Sequence, residues 1–182
     1  MSERDRLLII DDDVHQTRHI ASALKLRGFD PTCVGSEAAF RRVIGEEGRD
    51  PFDLCLIDVM IPTDLWPRFS EEETHGGLMT GFLIAADIRD MWPKVPLVIW
   101  SGTPFRWIRE QAAAISQAIP DCTYLPKHEA IEEIRRIFDR FKTTGKIDAG
   151  SLERIWDRIR LEPGFHGISF DLKGYIDSHR KR

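Results

Sequence analysis

The sequence predicts a doubly wound α/β fold, in which a five-stranded parallel sheet carries helices on both faces. Three observations support this. Short apolar runs, too brief for helices, recur between residues 6 and 142. Segments with apolar residues at helical spacing stand between them. Strand and helix signals alternating in this way require right-handed βαβ crossovers, and hence a parallel sheet buried on both faces.

The elements follow in order. Leu7–Ile10 is the first strand. Ile20, Leu24 and Arg27 then share helical spacing in a segment from Val14 that Gly28 stops. Phe29–Val34 is the second strand. Ser36 can cap a helix carrying Ala39, Phe40, Val43 and Ile44, closed by Gly45 or Gly48. Leu54–Ile57 is the third strand, and Ile84, Ile88 and Met91 mark a helix that ends before Pro93. Leu97–Trp100 is the fourth strand. Thr103 with Pro104 opens a helix whose inner stripe is Ile108, Ala112 and Ile115. Cys122–Leu125 is the fifth strand, and Ile131, Ile134, Ile137, Phe138 and Phe141 mark a last amphipathic helix.

Two segments depart from the alternation. The connection over residues 59–80 is far longer than the roughly 2–6 residues usual between strand and helix. It holds Trp66, Phe69, the acidic run Glu71–Glu73, His75 and Gly76-Gly77. The acidic run reads as a solvated, mobile stretch. A lid or docking loop is the rival reading, motivated by Trp66 and Phe69. His75 reads as a surface residue. The second segment is an extension over residues 143–182, with a helix expected at about 151–161 and a short basic ending, Arg180-Lys181-Arg182. Leu152, Ile155, Trp156 and Ile159 share one face of that helix, to be covered by the first domain or by a dimer or other partner interface. The division expected is therefore a domain over 1–142 and an extension over 143–182.

The gross numbers narrow the function. With 182 residues, 42% hydrophobic and 31% charged, the chain can bury a real core. A formal net charge of −4 gives no general pull toward nucleic acid or anionic membrane. Cys33, Cys55 and Cys122 have neither pair nor ligand spacing, so core thiols in a reducing, cytoplasmic setting are expected. No apolar stretch is long enough for a signal peptide or membrane span.

The chemistry gathers at the strand ends. The first strand ends at Asp11-Asp12-Asp13, the third at Asp58, the fourth at Ser101-Gly102, and the fifth at Lys127 after Pro126. In the flavodoxin-like strand order 2-1-3-4-5, the carboxyl ends of these strands face one crevice. Three carboxylates, Asp11, Asp12 and Asp58, then meet a hydroxyl and an ammonium. Oxygen-only ligands of like charge favour Mg²⁺. An aspartate beside a metal and a lysine suits attack on phosphorus, because both cations neutralise phosphoryl oxygens.

Leu7-Leu8-Ile9-Ile10-Asp11-Asp12-Asp13, Leu56-Ile57-Asp58-Val59-Met60-Ile61-Pro62, Ile99-Trp100-Ser101-Gly102 and Tyr124-Leu125-Pro126-Lys127 together resemble a response-regulator receiver domain, the CheY-like family of two-component signalling. The resemblance covers roughly residues 6–142. It implies that Asp58 is the phosphoacceptor, and that Asp12, Asp58 and the backbone carbonyl of Met60 bind Mg²⁺, with Asp11 acting mainly through water. It further implies that Lys127 pairs with the phosphate, that Ser101 turns inward to it, and that Tyr124 follows as an aromatic switch. Pro62 would shape the loop after the acceptor. Two departures stand out. His128 occupies the place of the family's usual proline after the lysine, and residues 63–78 exceed the common loop by roughly a dozen residues.

The function expected is a phospho-accepting response regulator in a two-component system or phosphorelay. It would be no enzyme beyond its own phosphorylation and dephosphorylation. A histidine kinase or histidine phosphotransfer protein would supply the phosphoryl group, and an unidentified downstream protein would read it. Neither membrane nor nucleic acid is an expected partner, and a homodimer stays open. Two alternatives come from other classes. One is a DNA-binding transcriptional regulator acting through the extension, although about 40 residues is short for such a domain. The other is an aspartyl-phosphate phosphatase using Asp11-x-Asp13, similar to haloacid dehalogenases.

Overall fold

The apolar runs become strands because helices bury both faces of the sheet along its central strands. A computed structural model describes residues 4–47, 52–102, 119–127 and 130–147. Within them one parallel sheet has the order β2-β1-β3-β4-β5. Its strands are β1 (Asp5–Ile10), β2 (Phe29–Val34), β3 (Leu54–Asp58), β4 (Leu97–Ser101) and β5 (Cys122–Pro126). Fold class and strand order are those the sequence predicts. The apolar runs understate some strands by a residue or two: β1 reaches back to Asp5, because Asp5 still pairs with Phe29 of β2.

Side chains alternate between the two faces, as pleating requires. Leu8, Ile10, Cys55, Ile57, Leu97 and Ile99 pack on the side of α2 (Glu37–Glu47) and α4 (Thr80–Met91). Leu7, Ile9, Leu54, Leu56, Val98 and Trp100 pack on the side of α1 (Val14–Lys25) and α5 (Ala130–Thr144). A one-turn helix, α3 (Glu71–Thr74), precedes α4. Gly28, at φ +89°, ends the turn after α1 in the left-handed region that glycine adopts without strain. On α5, Ile134, Ile137 and Phe138 are buried. Asp5 fixes this helix to β1 by accepting from Arg135 (3.1 Å) and Lys142 (2.7 Å).

The long connection is a folded cover. It runs through a 3-10 turn at Thr63–Leu65 and buries Trp66 and Phe69, each 2% exposed. Trp66 stacks at 5.6 Å on Phe40 of α2, and Phe40 meets Trp92 at 6.1 Å. The Arg68 N–H donates to Glu37 Oε2 (3.1 Å) on α2, and its guanidinium pairs with Asp87 (2.9 Å) on α4. Ser70 and Glu73 form a reciprocal capping box that sets α3. His75, Gly76 and Gly77, all at positive φ, turn the chain back. There Thr80 Oγ1 donates to the Ile61 carbonyl (2.7 Å), so the two ends of the insertion are tied together.

Some expectations hold and others need correction. The acidic run is solvated at Glu71 and Glu72, as expected, and forms a capped helical turn. Met91 closes α4 before Pro93 as expected but is 42% exposed; Ile84 and Ile88 are buried on the helix, and Trp92, just past its end, is buried as well. Cys55 and Cys122 are core thiols, but Cys33 is exposed, on the edge strand β2. The helix expected from Thr103, with Ile108, Ala112 and Ile115, lies outside the described residues, as do His128 and the extension beyond Ile147. No described helix is long and apolar enough to cross a membrane.

Candidate functional site

The carboxyl ends of β1, β3 and β5 meet at the mouth of the sheet. Asp11 leaves β1 still paired, its N–H donating to the Val34 carbonyl (3.0 Å). Its side chain is 1% exposed, and Oδ1 accepts from the Asp13 N–H (2.9 Å). Asp13 faces the other way: its Oδ1 accepts from the N–H groups of His15 and Gln16 and caps α1. The third acid of the run is therefore committed to the helix, which leaves Asp11 and Asp12 for the site. The Asp11-x-Asp13 pair of the phosphatase alternative is split.

Asp58 ends β3 and is 7% exposed. Lys127, directly after β5, reaches across the mouth: Nζ is 3.0 Å from Asp58 Oδ2 and 2.8 Å from Asp11 Oδ2. The Asp58 contact is an aligned hydrogen bond. The Asp11 contact is an ion pair without that alignment, so the buried Asp11 Oδ2 has no hydrogen-bond partner. One carboxylate oxygen each from Asp11, Asp12 and Asp58 lies within 4.8 Å of the others. Two of the three carboxylates thus share one ammonium, and the third, Asp12, stands beside them.

The electrostatics follow from that imbalance. Burial pushes the Asp58 carboxyl up to about 6, with Lys127 opposing and Asp11 adding to the rise. Burial also raises Asp12, and the Asp11 charge adds to it. For Lys127, burial disfavours the ammonium, but the carboxylates of Asp58 and Asp11 outweigh it and hold its pKa above the ordinary lysine value.

The remaining predicted residues are placed by register. Ser101 is buried at the end of β4, opposite Pro126 and one residue beyond Trp100, which pairs with Asp58. Met60 is half-buried, and its N–H lies 3.5 Å from Asp58 Oδ1. Tyr124 is buried in β5 on the side of α2 and α4; burial and the Asp58 charge raise its hydroxyl.

Two residues of this region were not singled out by the sequence. Gly81 packs the first turn of α4 directly on the acceptor strand: its N–H donates to the Val59 carbonyl (3.0 Å), and a Cβ there would lie 1.8 Å from the Asp58 carbonyl oxygen. The available signal was a glycine just inside a helix start. Trp100 was read only as a strand residue, yet Lys127 Nζ stands 5.3 Å from its ring centroid. Its adjacency to Ser101 was the clue.

No family model and no curated protein sequence matches the chain. Solved structures do. A response regulator from Burkholderia pseudomallei, described with a phosphorylated aspartic acid, calcium ion and citrate, aligns at TM-score 0.54 and 18% identity over 84% of this chain and 72% of that one. A CheY-like receiver domain from Methanospirillum hungatei JF-1 aligns at 0.55 and 18%, over 77% and 98%. The receiver domain of a sensor histidine kinase from Pseudomonas aeruginosa PAO1, with a magnesium ion coordinated in its active-site cleft, aligns at 0.53 and 21%, over 75% and 96%. With its strand order and these likenesses taken together, the chain has the fold of a response-regulator receiver domain.

Proposed function

We propose that the chain is a phospho-accepting switch of two-component signalling, with Asp58 as the acceptor. The observation that carries this is the convergence of Asp11, Asp12, Asp58 and Lys127 at one mouth of the sheet. An Asp58 carboxylate oxygen would attack the phosphorus of a phosphohistidine on a histidine kinase or histidine phosphotransfer protein. The P–N bond breaks as the P–O bond forms, and the departing imidazole takes a proton from solvent.

The donor set fits a hard divalent cation: oxygen-only, with too many negative charges for Lys127 alone, and with buried oxygens of Asp11 and Asp58 both leaning on that one ammonium. Asp11, Asp12 and Asp58, with the Met60 carbonyl, would hold Mg²⁺. When bound, Mg²⁺ supplies charge neutralisation for the phosphoryl oxygens. Lys127 then supplies the second positive charge, Ser101 a hydroxyl donor, and Tyr124 the side chain whose packing reports the modified state. Such a switch acts by shifting a pre-existing equilibrium. On this reading residues 1–142 form the receiver, 143–182 an extension through which or beside which a downstream protein is engaged, and the setting is cytoplasmic.

Incubation with acetyl phosphate and Mg²⁺ tests the reading. One base-labile phosphoryl adduct should appear, and it should be lost in Asp58→Asn. An adduct that persists in that variant, or none in the wild type, contradicts it.

A further inference from the structure

We infer that Trp100 is a positioning residue for Lys127, its indole face serving as a seat for the ammonium that does not depend on the carboxylates. The inference rests on the proposed function of the same site. Lys127 Nζ contacts Asp11 Oδ2 and Asp58 Oδ2, and it stands over the Trp100 ring at 5.3 Å from its centroid. That distance lies within cation–π range, and Trp is the strongest of the aromatic faces for it.

The three partners differ in what happens to them during the reaction. A cation held at the acidic cluster would draw on Asp11 and Asp58, and phosphorylation would convert the Asp58 carboxylate into an acyl phosphate. Both carboxylate partners of Lys127 are therefore shared or consumed. The indole is neutral, cannot ligate Mg²⁺, and is 0% exposed on a strand that pairs with β3 at Asp58. Neither event alters its chemistry or removes its face.

Packing alone does not call for an indole here. Trp100 Nε1 is buried with no hydrogen-bond partner among the described residues. An unpaired buried donor is a cost that Phe or Leu at the same position would not incur. What Trp adds over a purely apolar filler is the face presented to Lys127.

The test compares Trp100→Phe, which keeps a π face, with Trp100→Met, which keeps apolar bulk without one. Acetyl phosphate phosphorylation of Asp58 should slow by about three- to tenfold in the Met variant and by less than about threefold in the Phe variant. Equal rates for Met and wild type, or equal losses in Phe and Met, overturn the inference. The wild type gives a readout that no variant's folding can disturb. The Lys127 Hε resonances should be shifted upfield by the indole ring current, and should remain so with Mg²⁺ and beryllofluoride bound. Their appearance at ordinary lysine positions in the loaded protein overturns it as well. Failure of wild-type phosphorylation would instead strike the proposed function, so the two failures are distinguishable.

Discussion

Asp58 is a carboxyl group that folding holds partly against its ionisation, and this has a measurable consequence. Its pKa is about 6 in the folded chain against an ordinary 3.8, so the folded state favours the protonated form. The associated stability is complete below about pH 4 and is lost as pH rises through about 6, a loss on the order of 3 kcal/mol. In urea unfolding without divalent cations, stability should decline over that window, and Asp58→Asn should make the decline shallower, leaving the smaller part due to Asp12. Mg²⁺ should bind more weakly at pH 5 than at pH 7.5, because protons compete for the same oxygens; titration calorimetry reads this. Lys127→Met should cost roughly 3 kcal/mol without metal, since it strands two buried carboxylates, and Mg²⁺ should restore part of it. Gly81→Ala places a methyl group 1.8 Å from the Asp58 carbonyl oxygen, so backbone must move. It should cost about 1–3 kcal/mol or more in thermal unfolding and slow phosphorylation as well.

At the scale of elements, the insertion over residues 63–78 is the part that separates this chain from a plain alternation. It is held by apolar burial more than by charge, and the two contributions can be compared. Trp66→Ala should cost about 3–5 kcal/mol, through lost burial and a cavity against Phe40. Arg68→Ala removes a pair whose arginine side chain is 40% exposed, and should cost less than about 1 kcal/mol. Denaturant midpoints of the two variants check the ranking. Similar losses would mean that the cover is fastened electrostatically. Composition could show that this segment was long and aromatic, but not which way Trp66 and Phe69 face. That depends on Phe40 and Trp92, which lie 26 residues away on either side of Trp66 in sequence. Met91 illustrates the same limit: spacing marked the helix by 84, 88 and 91, and only the structure shows that Met91 is exposed while Trp92, just past the helix, is buried.

At the scale of the whole molecule, the sheet does most of the work that the sequence could foresee. The central strands β3 and β4, with β5, are buried along their whole length and leave little freedom in their assignment, so these runs and the acids at the ends of β1 and β3 were legible from residue type alone. That Asp13 caps α1 rather than joining the site is visible only in its hydrogen-bond geometry. Gly81 and Trp100 escaped notice because their roles are relations across the sheet: one helix turn against a neighbouring carbonyl, one ring beneath an ammonium. The most direct measurement is intact-protein mass spectrometry after exposure to acetyl phosphate, with and without Mg²⁺. A single base-labile phosphoryl adduct that requires Mg²⁺ and vanishes in Asp58→Asn is the expected result. A wild-type chain that stays unmodified while a known receiver domain is phosphorylated in the same tube would contradict it.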